Sequence, residues 1–185
     1  MSIKIQNVVA KVSFGGELDP KELLDRLGTP YDVQYKPAMF PGVIVKEGPN
    51  TPTFLLFRSG KGVCIGAKNA NECIKAAEKL HKQLVEHGLI RDENFTVEIQ
   101  NVVASADFGF PIDVPKVADS LERVIYEPEQ FPAAIHYMER PRVAMLIFSS
   151  GKTIIAGAKS EEEVVEAYRK MLTVLGQFRE QEVAT

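Results

Sequence analysis

The sequence predicts an α+β fold built from two tandem, pseudo-symmetric repeats, and three observations carry that expectation. The hexapeptide Ile5-Gln6-Asn7-Val8-Val9-Ala10 recurs unchanged as Ile99-Gln100-Asn101-Val102-Val103-Ala104, 94 positions on. Phe57-x-Ser59-Gly60-Lys61 and Gly66-Ala67-Lys68 return as Phe148-x-Ser150-Gly151-Lys152 and Gly157-Ala158-Lys159, now 91 positions on. Each copy also offers about five strand-like runs against one long and one short helical pattern. A period near ninety residues is too long for a solenoid, so the chain reads as a duplicated domain, divided as 1–92 and 93–185.

The elements come in the same order in both copies. A strand opens each, at about 3–14 and 96–107. A short helix comes next. Asp19-Pro20-x-Glu22 supplies an N-cap, a proline in the first turn and a reciprocal acid. In copy two Asp113 is the expected cap, ahead of Pro115. Four short strands rich in Val, Ile, Phe and Tyr are expected at about 31–36, 42–47, 53–59 and 62–67. Ser59-Gly60-Lys61-Gly62 and Ser149-Ser150-Gly151-Lys152 read as hairpin turns. A long amphipathic helix closes each copy. Asn69-x-x-Glu72 and Ser160-x-x-Glu163 have capping-box spacing, and Ile74, Ala77, Leu80 and Leu84 then mark the apolar stripe.

Composition narrows the functional classes. Hydrophobic residues make up 45% and charged residues 25%, ordinary for a globular protein, and no apolar run approaches the length of a membrane span. The polar, strand-like N-terminus is not a signal peptide, and a cytoplasmic setting is expected. Two cysteines, Cys64 and Cys73, exclude a disulfide scaffold and fit a reducing compartment. Catalysis has no support. His81 and His87 stand six apart, which is not metal-ligand spacing; no cysteine joins a histidine and an acid, and no turn carries a phosphate-loop pattern. No cofactor or metal is expected.

The strands themselves point to a ligand. One long and one short helix can cover one face of a sheet. Yet Thr53-Phe54-Leu55-Leu56-Phe57 and Val143-Ala144-Met145-Leu146-Ile147-Phe148 are apolar on both faces, where a solvated antiparallel face alternates with polar residues. The second face is therefore an exposed apolar surface of the kind that marks a binding site, or a site for pairing with a second copy. Net charge is −3 with a pI near 5.7, which argues against binding through phosphates alone. The charge is uneven: residues 1–92 carry +3 and residues 93–185 carry −6.

The duplicated Gln-Asn-Val-Val-Ala, Tyr126-Glu127-Pro128-Glu129-Gln130-Phe131-Pro132, the paired Phe-x-Ser-Gly-Lys and the paired Gly-Ala-Lys occur together and in order. In that combination the chain resembles the TATA-binding protein family, over nearly its whole length and most closely in its archaeal form. The resemblance implies one curved antiparallel sheet, a saddle with helices on its convex face, whose concave face binds and bends A·T-rich DNA through the minor groove in transcription initiation. Phe40 and Phe57, with Phe131 and Phe148, would be wedges that part base steps. Asn7 and Asn101 would meet central base edges. Val9, Leu55, Val63, Val103, Leu146 and Ile154 would pack on the groove floor. Lys46, Arg58, Lys61 and Lys152 would contact phosphates. Glu127, Glu129 and Gln130 would meet transcription factor B, ahead of RNA polymerase recruitment.

The chain also departs from the family. The threonine usual before Gly-Ala-Lys is Ile65 in one copy and Ala156 in the other. Phe-Pro-Gly becomes Phe131-Pro132-Ala133, and the arginine expected at 137 is Tyr137. These departures imply altered or weaker sequence preference. They also leave open a second reading, in which the same fold serves mainly as a protein-interaction module.

Overall fold

The computed structural model describes residues 2–91 and 94–179. The repeat boundary expected between residues 92 and 93 lies outside them. The elements are β1 (Ser2–Ser13), α1 (Pro20–Arg26), β2 (Asp32–Tyr35), β3 (Val43–Lys46), β4 (Thr53–Leu56), β5 (Lys61–Ala67) and α2 (Ala70–Glu86). They recur as β6 (Thr96–Asp107), α3 (Val114–Ser120), β7 (Val124–Ile125), β8 (Ala134–Met138), β9 (Val143–Ile147), β10 (Lys152–Ala158) and α4 (Glu161–Leu175). A 3-10 turn at Gly176–Phe178 comes after α4. Asn7–Gln100 form one compact unit, and Met1–Gln6 with Asn101–Thr185 form the other. The α+β class and the duplication expected from sequence are both present.

In the first unit the strands lie in the order β2-β3-β4-β5-β1, in the second β6-β10-β9-β8-β7, antiparallel throughout. Strand parity sorts the side chains. Val8, Ala10, Val12, Val43, Val45, Phe54, Leu56 and Cys64 are buried, against Cys73, Ala77, Leu80 and Leu84 of α2. The two layers meet where α2 packs on β5, with Cys64 and Cys73 both fully buried. The stripe on α2 runs through Cys73 where the sequence pointed to Ile74, which is only half-buried. In the second unit Phe108 stacks on Tyr168 of α4 at 5.1 Å, and the Tyr168 hydroxyl donates to the Asp107 carbonyl at 2.7 Å. The intervening positions of the strands point away from the helices.

The repeated motifs have local reasons. Asp19 accepts from the Lys21 amide at 2.9 Å and starts α1, with Pro20 in its first turn. Asn69 and Ser160 accept from the amides of Glu72 and Glu163 at 2.7 and 3.2 Å. Those glutamates reach back one residue beyond the cap, to the amides of Lys68 and Lys159 at 3.1 and 2.7 Å. The lysine of Gly-Ala-Lys thus gives its backbone to the helix start. Its glycine makes a β-bulge. Between the pairs Val8↔Ala67 and Ala10↔Cys64, β5 carries one residue more than β1, and β10 does the same against β6. Gly66 and Gly157 take up the extra residue at φ 84° and 92°, a region that suits glycine. The hairpin glycines are as constrained. A Cβ at Gly60 would lie 1.8 Å from the Gly16 oxygen, and one at Gly151 would lie 2.2 Å from the Phe110 oxygen.

One polar side chain replaces a core apolar one between the repeats. His136 on β8 stands where Val45 stands on β3, and its Nδ1 lies 3.1 Å from the Glu122 carbonyl. Burial holds its imidazole below the usual histidine range, with the Glu122 carbonyl opposing that shift and nearby Arg123 adding to it.

Two stability measurements test this description. A Cβ on Gly157 meets nothing closer than the Arg142 oxygen at 3.7 Å, so Gly157→Ala isolates the cost of the left-handed backbone. Equilibrium unfolding should show a loss of about 1–2 kcal/mol, and an unchanged midpoint would mean the bulge tolerates side chains. For His136 the folded pKa lies below the unfolded value of 6.5, so the unfolded chain binds the proton first. Its neutral form imposes no penalty well above that value, and stability falls as pH drops through it. Relative to His136→Val, the protein should therefore lose stability between about pH 7 and about pH 5, read as a growing gap between the two unfolding curves.

Candidate nucleic-acid interface

The face of each sheet turned from its helices is apolar and half-exposed. In the first unit a row of cross-strand partners runs Ile44–Leu55–Val63–Lys11, and a second runs Lys46–Thr53–Ile65 beside Val9. In the second unit the matching rows are Ile135–Leu146–Ile154–Ser105 and Tyr137–Ala144–Ala156 beside Val103. Val9, Leu55, Val63, Val103, Leu146 and Ile154, singled out from sequence, all lie here. Ile44, Ile135 and Lys11 were not singled out. The hairpin register would have found the first two, since Ile44 faces Leu55 and Ile135 faces Leu146. Water here meets a floor of branched carbon where a solvated sheet would carry polar groups.

A phenylalanine pair closes one end of each floor. Phe40 and Phe57 meet edge-to-face with centroids 5.7 Å apart and planes at 61°. Phe131 and Phe148 repeat this at 6.0 Å and 71°. Phe57 and Phe131 are 37% and 38% exposed, so these rings are presented to solvent and are not core. The loop before each leading ring has one backbone form, with the Phe40 and Phe131 amides donating to the carbonyls of Lys36 and Glu127 at 3.0 and 2.9 Å. Its chemistry differs. Copy one reads Lys36-Pro37-Ala38-Met39, with Met39 84% exposed, and copy two reads Glu127-Pro128-Glu129-Gln130. The Gly-to-Ala change after the ring also has a geometric counterpart. A Cβ at Gly42 would lie 2.7 Å from Phe40 Cε1, whereas Ala133 is buried beside the wider second pair.

The asparagines are held by the bulges. Asn7 Oδ1 accepts from the Gly66 amide at 3.0 Å, and Asn101 Oδ1 accepts from the Gly157 amide at 2.8 Å. Each bond fixes the amide orientation and takes one of the two lone pairs of the oxygen, while the Nδ2 group keeps two N–H donors. The bulge glycine thus serves the asparagine, a link that sequence spacing alone does not display.

Cations are distributed unevenly. Lys46 lies on the uncovered face with Asp32 as its cross-strand partner, and Lys61 is exposed at the start of β5 on that same face. Arg58 stands on the β4–β5 turn, and Lys152 repeats Lys61 on β10. Where the first unit has Lys11, Lys46 and Arg58, the second has Ser105, Tyr137 and Ser149. Among the described residues no group of His, Cys, Asp and Glu could hold a metal ion.

A family model described as transcription factor TFIID (or TATA-binding protein, TBP) matches residues 2–87 and 96–178. The TATA-box-binding protein of Pyrodictium occultum is 44% identical over 175 residues, covering 95% of this chain and 86% of the relative. That of Aeropyrum pernix is 43% identical over 169 residues, covering 91% and 82%. Among solved structures, Methanococcus jannaschii TBP superposes with a TM-score of 0.84 at 38% identity, covering 96% of this chain and 99% of that one. Matched by that family model in both halves, and by relatives over nearly its whole length, the protein belongs to the TATA-binding protein family.

Proposed function

We propose that the chain is a general transcription initiation factor that binds A·T-rich promoter DNA of the TATA type through the minor groove and bends it. The observation that carries this reading is the pairing, in each repeat, of an uncovered apolar sheet face with two edge-to-face phenylalanines and an asparagine oriented by a backbone amide. A minor groove at A·T pairs offers acceptors, adenine N3 and thymine O2, and no donor. Asparagines with two N–H donors on a fixed amide suit that floor. The valines, leucines and isoleucines fit sugar and base edges without leaving a polar group of their own unpaired. The phenylalanines replace base stacking where a step opens, as in minor-groove binders that kink DNA. The family model describes a transcription factor, and the relatives are TATA-box-binding proteins.

Transcription factor B is the partner we assign to the Glu127, Glu129 and Gln130 loop, with RNA polymerase recruited in turn. Two exposed carboxylates on a loop of fixed backbone attract a basic surface, and Lys36 at the matching place makes the other loop unlike it. That difference lets a partner tell one repeat from the other.

One observation favours a second reading as a protein-interaction module. The second unit lacks three of the first unit's cations, and Ile65 and Ala156 present no hydroxyl. The salt dependence of binding separates the two. A largely apolar contact with few phosphates gives a shallow slope against log salt, and an electrostatic artefact gives a steep one.

Binding to a TATA-type duplex labelled at both ends for energy transfer should draw the ends together, with little response from a G·C-rich duplex. Phe57→Ala and Phe148→Ala should each weaken binding by about 1–3 kcal/mol and reduce the end-to-end approach. A wild-type protein that neither binds nor bends the duplex, with transcription factor B present and salt varied, would overturn the reading. Separately, Ile65→Thr with Ala156→Thr should tighten binding to the TATA-type duplex, because both positions lie on the uncovered face. Unchanged affinity in that double variant would show that the absent hydroxyls do not set sequence preference.

A further inference from the structure

Resting on the DNA-binding reading, we infer that Arg123, with Arg142 beside it, forms a phosphate-binding site that does the work a cation at position 137 would otherwise do. The two repeats handle the same pair of positions in opposite ways. In the first unit Asp32 of β2 pairs with Lys46 of β3, so the cation is on the inner of the two strands. In the second unit the corresponding residues are Arg123, directly before β7, and Tyr137 of β8, joined by a hydrogen bond from the Tyr137 amide to the Arg123 carbonyl at 3.0 Å. The cation has crossed to the neighbouring strand position while the backbone pairing stays the same.

Three further observations agree. Arg123 has φ 56°, one of three non-glycine residues at positive φ among those described, and the other two are asparagines. Arginine seldom adopts this backbone, and outliers of this kind concentrate at functional sites. Second, Arg123, Arg140 and Arg142 surround one open hollow of about 930 Å³ that reaches the uncovered face at Tyr137, Ala144 and Ala156. The first repeat has the larger Thr53 and Ile65 at the matching places, where the second has Ala144 and Ala156. Third, the one carboxylate in the hollow, Glu139, lies 2.7 Å from Arg123 Nη2. With both side chains more than half exposed, this pair orients the guanidinium without neutralising its remaining donors. Three arginines against one glutamate leave the hollow cationic within the acidic half of the chain.

The test is the slope of log affinity against log salt for a TATA-type duplex, in wild type and in Arg123→Asn. Asparagine accepts the left-handed backbone, so this variant removes the guanidinium and keeps the turn; its thermal midpoint should equal or exceed that of wild type. One phosphate fewer at the interface lowers the slope by about 0.9 and weakens binding alike on strong and weak TATA-type sequences. Arg142→Gln should do the same. Arg169→Gln, exposed on α4, removes equal charge and should leave the slope as it is. Adding Tyr137→Arg to Arg123→Asn should restore the wild-type slope, because the cation then stands on the inner strand. Wild-type binding with an unchanged slope in Arg123→Asn overturns this site alone. Equal slope reductions in Arg169→Gln and Arg123→Asn overturn it too, since general charge would then explain the effect. Failure of wild type to bind the duplex overturns the DNA reading and this site with it.

Discussion

In each repeat one long and one short helix are packed on a five-stranded sheet, and that shortage of helix governs the rest of the molecule. Burying Phe54, Leu56 and Cys64 against α2, and Met145, Ile147 and Ile155 in the second repeat, drives each unit together. No helix remains for the other face. Its alternate side chains are still Ile44, Leu55 and Val63, or Ile135, Leu146 and Ile154, which a water-facing sheet would not carry. The apolar floor is therefore a standing cost in the free protein, relieved when a ligand of matching shape covers it. A groove bounded by sugars and base edges meets that need with little demand for charge. An acidic chain with a net charge of −3 can therefore belong to a DNA-binding family.

The glycines and asparagines tie the uncovered face to the fold. A bulge at Gly66 or Gly157 re-aims the strand and supplies an amide to Asn7 or Asn101. The next two residues then serve the helix beyond, the alanine as buried packing and the lysine through its backbone. Gly-Ala-Lys is thus at once a bulge, a piece of core and a helix start. Retention of that tripeptide in both repeats needs no direct touch between its lysine and DNA.

The repeats have kept their frame and diverged in surface chemistry. The loops before Phe40 and Phe131 share a backbone turn, yet one is basic and apolar where the other is acidic. The Asp32–Lys46 pair becomes Arg123–Tyr137 with the strand register intact. Two identical copies cannot by themselves give a ligand or partner a direction. Differences of this kind, placed on a common frame, are what can.

Much of the molecule was legible in the residue order. The duplication, the helix caps at Asp19, Asn69, Asp113 and Ser160, and the excess of apolar strand positions all come from local chemistry, because a cap or a strand period is set by neighbours within a few residues. The four phenylalanines and the two asparagines were likewise marked by their recurrence. Other features depend on residues brought together from afar. Asn7 and Gly66 are 59 positions apart, and only the cross-strand bulge makes them partners. Arg123 carries no motif; its significance comes from the strand opposite and from the small side chains at Ala144 and Ala156 that open a hollow beside it. Local sequence determined which elements form and which face of each must be apolar. Strand register, a property of the assembled sheet, decided which donors, rings and cations stand side by side.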